Sequence, residues 1–272
     1  MALLPTHDFF VLNDSVLPNR FFKPSENEGG IYEVLRVVDG IPLFLEDHLS
    51  RFYQSARIAG KTIRFNERQI ENLLKQLILK NKISEGNILI SCKINLKAFF
   101  IPSNYPTQPM VEKGVVCGIL KAERDNPNAK LFQTSVRQKA DQLIGEKGFY
   151  EVLLVDHLGR ITEGSRSNVF FVKNDLIVTP PGNKVLLGIT RQKILELIRN
   201  IGLEYREKDV FLSRSGLYNA AFLTGTSPKI LPVSKVENVI FDPQNHVVRS
   251  LIECYNQLIT NYISERKADM IK

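Results

Sequence analysis

Glu163 is the residue whose setting most suggests chemistry. It lies in Ile161-Thr162-Glu163-Gly164-Ser165-Arg166-Ser167-Asn168, an acidic, glycine-flanked turn, with Thr179-Pro180-Pro181 and then Gly188-Ile189-Thr190-Arg191 downstream. The last of these opens a segment with apolar residues at Ile194, Leu195, Leu197, Ile198 and Ile201, a helical spacing closed by Gly202. Thr190 is the expected N-cap, and the N–H groups behind it can hold a dianion. A second turn of this kind, Thr224-Gly225-Thr226-Ser227-Pro228, follows the apolar strand Ala220-Ala221-Phe222-Leu223. Small hydroxyl residues beside a glycine can surround an anion with donors.

The elements that must position these groups follow from local pattern. Glu151 to Asp156 is a short apolar run leading into His157-Leu158-Gly159-Arg160, which predicts a strand and a hairpin-type turn, and Ile161-Thr162 begins the return strand. Gly164 removes a Cβ where backbone or ligand must come close, and Asn168 to Val172 resumes an apolar strand. Glu163 is thus expected at a break between strands. A carboxylate in such a turn, with an anion-binding helix start beyond it, suits a ligand that has both a basic ring nitrogen and a phosphate. Pyridoxal 5'-phosphate has both. Each signal alone is ordinary: an isolated Glu at a strand end is more often a solvated surface residue, and a Gly-Thr turn is more often only a turn.

Upstream, Ile31 to Val38, Asp39-Gly40 and Ile41 to Leu45 predict a β-hairpin with a favoured two-residue turn. Pro42 cannot donate to a ladder, so it should face an unpaired side. Glu46 to Ala59 follows as a helix with Leu49, Phe52, Tyr53 and Ala56 on its inner face. Arg51 lies beside that face, where it is either a snorkelling surface residue or a planar bidentate donor closing a phosphate cup.

Taken together, Ile31 to Gly40, His48-Leu49-Ser50-Arg51, Thr162 to Asn168, Gly188 to Arg191 and Gly225-Thr226-Ser227 resemble the class IV pyridoxal-phosphate enzymes. That family holds branched-chain and D-amino acid aminotransferases and aminodeoxychorismate lyases. The resemblance implies an α+β fold of two domains, the D-amino acid aminotransferase-like fold. A small N-terminal α/β domain would cover residues 1–108, and a larger, strand-rich pseudo-barrel domain residues 109–272. It implies that Lys130 forms the internal aldimine with pyridoxal 5'-phosphate, Lys139 being the fallback. Glu163 falls where the family bonds the pyridine nitrogen, and Arg51, Ile189, Thr190 and Thr226 fall where the phosphate is held. Ser227 and Pro228 fall on the turn facing the substrate carboxylate, and Tyr32, Val34 and Arg36 on the strand lining the substrate pocket. Lys130 and Glu163 are then expected in the second domain and Arg51 in the first, with the ligand in the crevice between. A homodimer whose partner loops help close the pocket is implied as well. An acid at Glu163 would keep the ring nitrogen protonated and the ring a strong electron sink. Lys130, once displaced by the substrate amine, would be a neutral base that carries the proton from Cα to C4'.

Two departures bear on the substrate. In D-amino acid aminotransferases the region matching Asn87 to Ile101 carries an arginine and a histidine that hold the substrate carboxylate; neither occurs here, and Lys97 and Arg36 are the candidate substitutes. The tyrosine that relatives often place shortly after the lysine is missing from Leu131 to Arg137. Substrate and stereochemistry therefore stay open. The first expectation is a transaminase acting on an amino acid and a 2-oxo acid. The alternative is an aminodeoxychorismate-type lyase that eliminates pyruvate, and a third reading is a cofactor-binding homologue without turnover. Gly225-Thr226-Ser227 looks more like the aminotransferases.

Composition fits a soluble, cytoplasmic enzyme. At 272 residues and 43% hydrophobic, the chain can bury a large core in one or two domains. Met1 to Arg20 lacks the sustained apolar core of a signal peptide, and no apolar run approaches the ~20 residues that span a bilayer. The net charge of +7 raises nucleic-acid binding as a rival, but the basic residues are dispersed among acids without a polybasic run, which fits attraction of anionic substrates. Cys92, Cys117 and Cys254 read as buried thiols, and four histidines without paired spacing predict no metal site. A helix over Glu67 to Lys80, with a capping box from Asn66 and Gln69, and helices near 133–147, 191–201 and 248–264 complete the outline. Pro102 to Pro109 is the expected linker, and the charged end after Ser264 is expected to fray.

Overall fold

Alternating burial along one strand sets up the first half of the molecule. Ile31, Glu33, Leu35 and Val37 are buried while Tyr32, Val34 and Arg36 between them are half-buried, so the strand gives one face to a core and the other to a smaller cluster around Phe10, Leu89 and Phe99. The computed structural model describes residues 3–24, 29–132 and 134–271. They divide into two compact units, one of residues 3–24, 29–104, 129–132 and 259–271, the other of 105–128 and 134–258. The division expected at 108/109 is thus displaced by a few residues, and a short segment around Lys130 joins the first unit.

The first unit contains strands β1 (Phe9–Leu12), β2 (Ser15–Pro18), β3 (Ile31–Val38) and β4 (Ile41–Pro42), helices α1 (Leu45–Ile58) and α2 (Glu67–Asn81), and strands β5 (Gly86–Cys92) and β6 (Leu96–Ile101). The strands form one antiparallel sheet in the order β2-β1-β6-β5-β3-β4. The β3–β4 hairpin has Asp39 and Gly40 at φ 53 and 76, the double left-handed turn that the sequence favours. Pro42 sits on the sheet's edge strand, where its missing N–H costs no ladder bond. β4 is shorter than expected because helix α1 already begins at Leu45. Leu49, Phe52 and Ala56 of α1 and Ile70, Leu74 and Leu77 of α2 pack with Ile31, Leu35, Ile88, Ile90 and Phe100 in one core. The α2 capping box is present, with Gln69 N donating to Asn66 Oδ1 and Asn66 N donating to Gln69 Oε1.

The second unit opens with α3 (Gln108–Lys113), so the expected linker is helical in its last residues; Pro109 is tolerated in a first turn, where its N–H has no partner to lose. There follow β7 (Val115–Lys121), α4 (Thr134–Lys147), β8 (Glu151–Val155), β9 (Arg160–Gly164), β10 (Asn168–Lys173), β11 (Leu176–Thr179), α5 (Ile189–Asn200), β12 (Tyr205–Glu207), β13 (Val210–Phe211), β14 (Ala220–Gly225), β15 (Lys229–Val236), β16 (Val239–Ile240) and α6 (His246–Ile271), whose residues from 259 onward belong to the first unit. Gln133, the expected start of α4, lies outside the described residues. A ten-stranded sheet runs β12-β11-β10-β14-β15-β7-β8-β9-β13, with β16 on β15; β7 is parallel to both β8 and β15. Burial does not alternate along β8 and β10: both are buried almost throughout, as strands covered on both faces must be. The chain end does not fray as expected. α6 continues to Ile271, and Arg266 pairs with Glu46 and Lys267 with Asp39.

Candidate active site

In the second unit the expected acid is buried. Glu163 is only 2% exposed, within the end of β9 and not at a break outside it. Its Oε2 accepts from Leu186 N at 3.1 Å and from Asn168 Nδ2 at 3.4 Å, and Arg124 Nε stands 3.1 Å from its Oε1. Asn168 ties three pieces together. It also donates to Leu186 O at 2.8 Å, pairs opposite Thr224 in the β10–β14 register, and packs its Oδ1 where a Cβ on Gly188 would come within 2.2 Å. A side chain at position 188 would therefore have to push the Asn168 amide out of its place.

Gly188, not Thr190, is the N-cap of α5: it is extended at ψ 137, and Gln192 N donates to its carbonyl. Thr190 is the second helical residue, so Ile189 and Thr190 contribute first-turn N–H groups in a helix whose cap makes no side-chain bond. Beside this start, Thr224 Oγ1 is buried with no hydrogen-bond partner. Such unspent donors suit an anion. Thr226, Ser227 and Pro228 form the turn between β14 and β15, where Gly225 pairs with Lys229.

The first unit holds a buried ionic cluster. Arg51 is 6% exposed, which removes the snorkelling alternative; it grips the fully buried Glu33 through two 2.7 Å bonds, Nε to Oε1 and Nη2 to Oε2. His48 Nδ1 lies 2.8 Å from Glu33 Oε2. Burial alone pushes the Glu33 carboxyl up, but the Arg51 charge, with the bonds from Arg51 and His48, holds it down at about 2. Burial, with the Arg51 and Lys130 charges, lowers His48 despite its bond to Glu33. A neutral His48 facing an ionised carboxylate must carry its proton on Nδ1.

Lys130 belongs to this unit and not to the second, because its segment is stitched to β3 and α1. Lys130 N donates to Ser55 Oγ at 3.0 Å, Tyr32 N donates to Lys130 O at 3.1 Å, and Phe132 N donates to Gly30 O. Its Nζ lies 4.7 Å from the centre of the Tyr32 ring, which stacks on Phe132 at 4.2 Å. Tyr32, Val34 and Arg36 share the other, half-buried face of β3, where Tyr32 and Val34 pack against Phe10, Leu89 and Phe99. Lys139 is exposed on α4. Lys97 donates to Lys23 O at 2.9 Å and lines a groove of about 440 Å³ with Phe10, Leu12, Leu17 and Asn95.

Sequence reasoning passed over Arg124, Glu151 and the part played by Glu33. Glu33 had a signal: an acid in step with Ile31, Leu35 and Val37, opposite a helix bearing His48 and Arg51 one turn apart. Arg124 and Glu151 had none. Among the described residues no group of three or more metal-ligating side chains is found, and no helix is long and apolar enough to cross a membrane.

A two-unit α+β fold with a buried, donor-braced acid beside a glycine-started helix defines a class rather than a substrate. The family model of class IV aminotransferases matches residues 30–236, and the chain belongs to that family, whose enzymes depend on pyridoxal phosphate. It is 30% identical over 231 residues to a D-alanine aminotransferase of Bacillus licheniformis, covering 76% of this chain and 79% of that protein. It is 25% identical over 259 residues to the aminodeoxychorismate lyase of Bacillus subtilis, covering 87% and 88%. Among solved structures, the PLP form of the branched-chain amino acid aminotransferase from Thermobaculum terrenum aligns with a TM-score of 0.81 at 20% identity over 94% of this chain and 95% of that one.

Proposed function

We propose that the protein is a pyridoxal-phosphate-dependent aminotransferase that moves an amino group between an amino acid and a 2-oxo acid. The observation that carries this is Glu163: a carboxylate sequestered from water, braced by a cation and two N–H donors, in the strand-turn that leads to Asn168 and the α5 start. In this proposal Glu163 faces the pyridine nitrogen and keeps it protonated. The α5 first turn at Ile189 and Thr190, with Thr226 and the guanidinium of Arg51, takes the phosphate. Lys130 supplies the amine that anchors the cofactor and, when released, holds and returns the proton at Cα. Tyr32, Val34 and Arg36 line the substrate side, and Ser227 and Pro228 face its carboxylate. When bound, pyridoxal phosphate supplies the electron sink that lets a Cα proton leave. The family resemblance extends the proposal to a cytoplasmic homodimer.

Purified protein should show a visible absorbance band that borohydride fixes, and Lys130→Ala should lack it. Amino acid added alone, from a panel of L and D forms, should then bleach the wild-type band to the amine form of the cofactor. A wild type without any such band, or a Lys130→Ala variant that keeps it, defeats the proposal. The likeness to the Bacillus subtilis lyase motivates one second reading. Pyruvate released from aminodeoxychorismate without a 2-oxo acid acceptor would favour it.

A further inference from the structure

Glu151 is a buried acid for which the chemistry above has no use. It opens β8, is 2% exposed, and among the described residues has no cationic partner in an ion pair. Its oxygens are met by neutral hydrogen-bond donors. Oε1 accepts from Ser165 Oγ at 2.6 Å and Val152 N at 2.9 Å, and Oε2 from Ser167 Oγ at 2.9 Å and Arg166 N at 3.1 Å. Three of the four donors belong to the turn between β9 and β10. That turn closes on itself through Gly164 N donating to Ser167 O at 2.7 Å, and a Cβ on Gly164 would meet Ser167 Oγ at 2.2 Å and Glu151 Cδ at 3.1 Å. On the carbonyl side of the same turn, Arg124 Nη2 donates to Ser165 O at 2.5 Å while its Nε stands beside Glu163. The residues flanking the turn are Glu163 and Asn168.

We propose that Glu151 is a positioning residue: its carboxylate fixes the Gly164–Ser167 turn and thereby the direction in which Glu163 presents its own carboxylate. This role rests on the function proposed above. Each Glu151 oxygen receives one backbone N–H, and a backbone N–H, unlike a hydroxyl, cannot reverse into an acceptor. A glutamine must turn its NH₂ toward Val152 N or Arg166 N, so only a carboxylate satisfies the site. An aspartate is one methylene too short to reach across the turn.

The test is Glu151→Gln, alone and combined with Glu163→Gln. In the protein as purified, amide exchange at Arg166 and at Leu186 should quicken about tenfold or more. Leu186 is the informative amide, because it contacts Glu163 and not Glu151. In the cofactor-loaded protein, Glu151→Gln should reproduce much of the spectral pH shift and slowed amine half-reaction of Glu163→Gln, and the double variant should be no worse than Glu163→Gln alone. Unchanged exchange at Leu186, or additive effects in the double variant, overturns the role. Should Glu151→Gln not fold, Ser165→Ala and Ser167→Ala each delete one donor and keep both backbone bonds; a graded change at Leu186 then supports the role and none refutes it. A wild type that binds no cofactor while Leu186 responds to Glu151→Gln refutes the function and leaves the positioning intact.

Discussion

Replacing Glu33 by glutamine is the sharpest probe of the first unit. The carboxylate is wholly buried and doubly bonded to Arg51, so Glu33→Gln keeps the shape and takes from the buried guanidinium the charge that Glu33 supplies. Breaking one partner of a buried pair costs roughly 3–5 kcal/mol at neutral pH. The lowered Glu33 carboxyl expresses the same pairing as a pH dependence. The Glu33 carboxyl falls from 4.5 to about 2 on folding, and a lowered acid stabilises the fold by on the order of 3 kcal/mol. Its sign is fixed: the unfolded chain binds the proton first, so the contribution is complete above 4.5 and is lost as pH falls toward 2. The chain has no tryptophan, so urea unfolding is followed by far-UV circular dichroism. Wild type should exceed Glu33→Gln by several kcal/mol at pH 7, and the gap should close as pH drops from 4.5 toward 2. A loss below about 1 kcal/mol at neutral pH, or a gap that does not change with acid, would refute the buried-pair reasoning.

Two further variants test local geometry. Gly164→Ala drives a methyl against Ser167 Oγ and the Glu151 carboxyl, and should cost about 1–3 kcal/mol in thermal or urea unfolding. A neutral result would mean that the turn has room for a side chain. Asn66→Ala removes half of the α2 capping box and should lower stability by about 1 kcal/mol, with an unchanged cofactor spectrum.

Local chemistry was enough to determine several features from sequence alone. The Asp39-Gly40 hairpin, the Asn66 capping box, the apolar β10 and the helix ending before Gly202 each follow from neighbours within a few residues. The acid at 163, the glycine at 188 and the hydroxyl turn at 224–227 could be picked out because their residue types are informative at short range. Family resemblance then supplied their order along the chain.

Other features depend on partners distant in sequence, and only the tertiary structure decided them. Lys130 was expected with Glu163, yet its backbone bonds to Ser55, 75 residues away, and to Tyr32, because a short segment completes its hydrogen bonds on whichever edge is open to it. Arg51 read more readily as a snorkelling surface residue than as a phosphate donor, and Glu33 supplies the charge that makes its burial tolerable. Glu151 looked like the first residue of an apolar strand, and what satisfies and immobilises its carboxylate is a turn whose donors arrive 14 to 16 residues later. Periodicity tells which side chains leave water; whether a charge that leaves with them is satisfied depends on the fold that brings its partners.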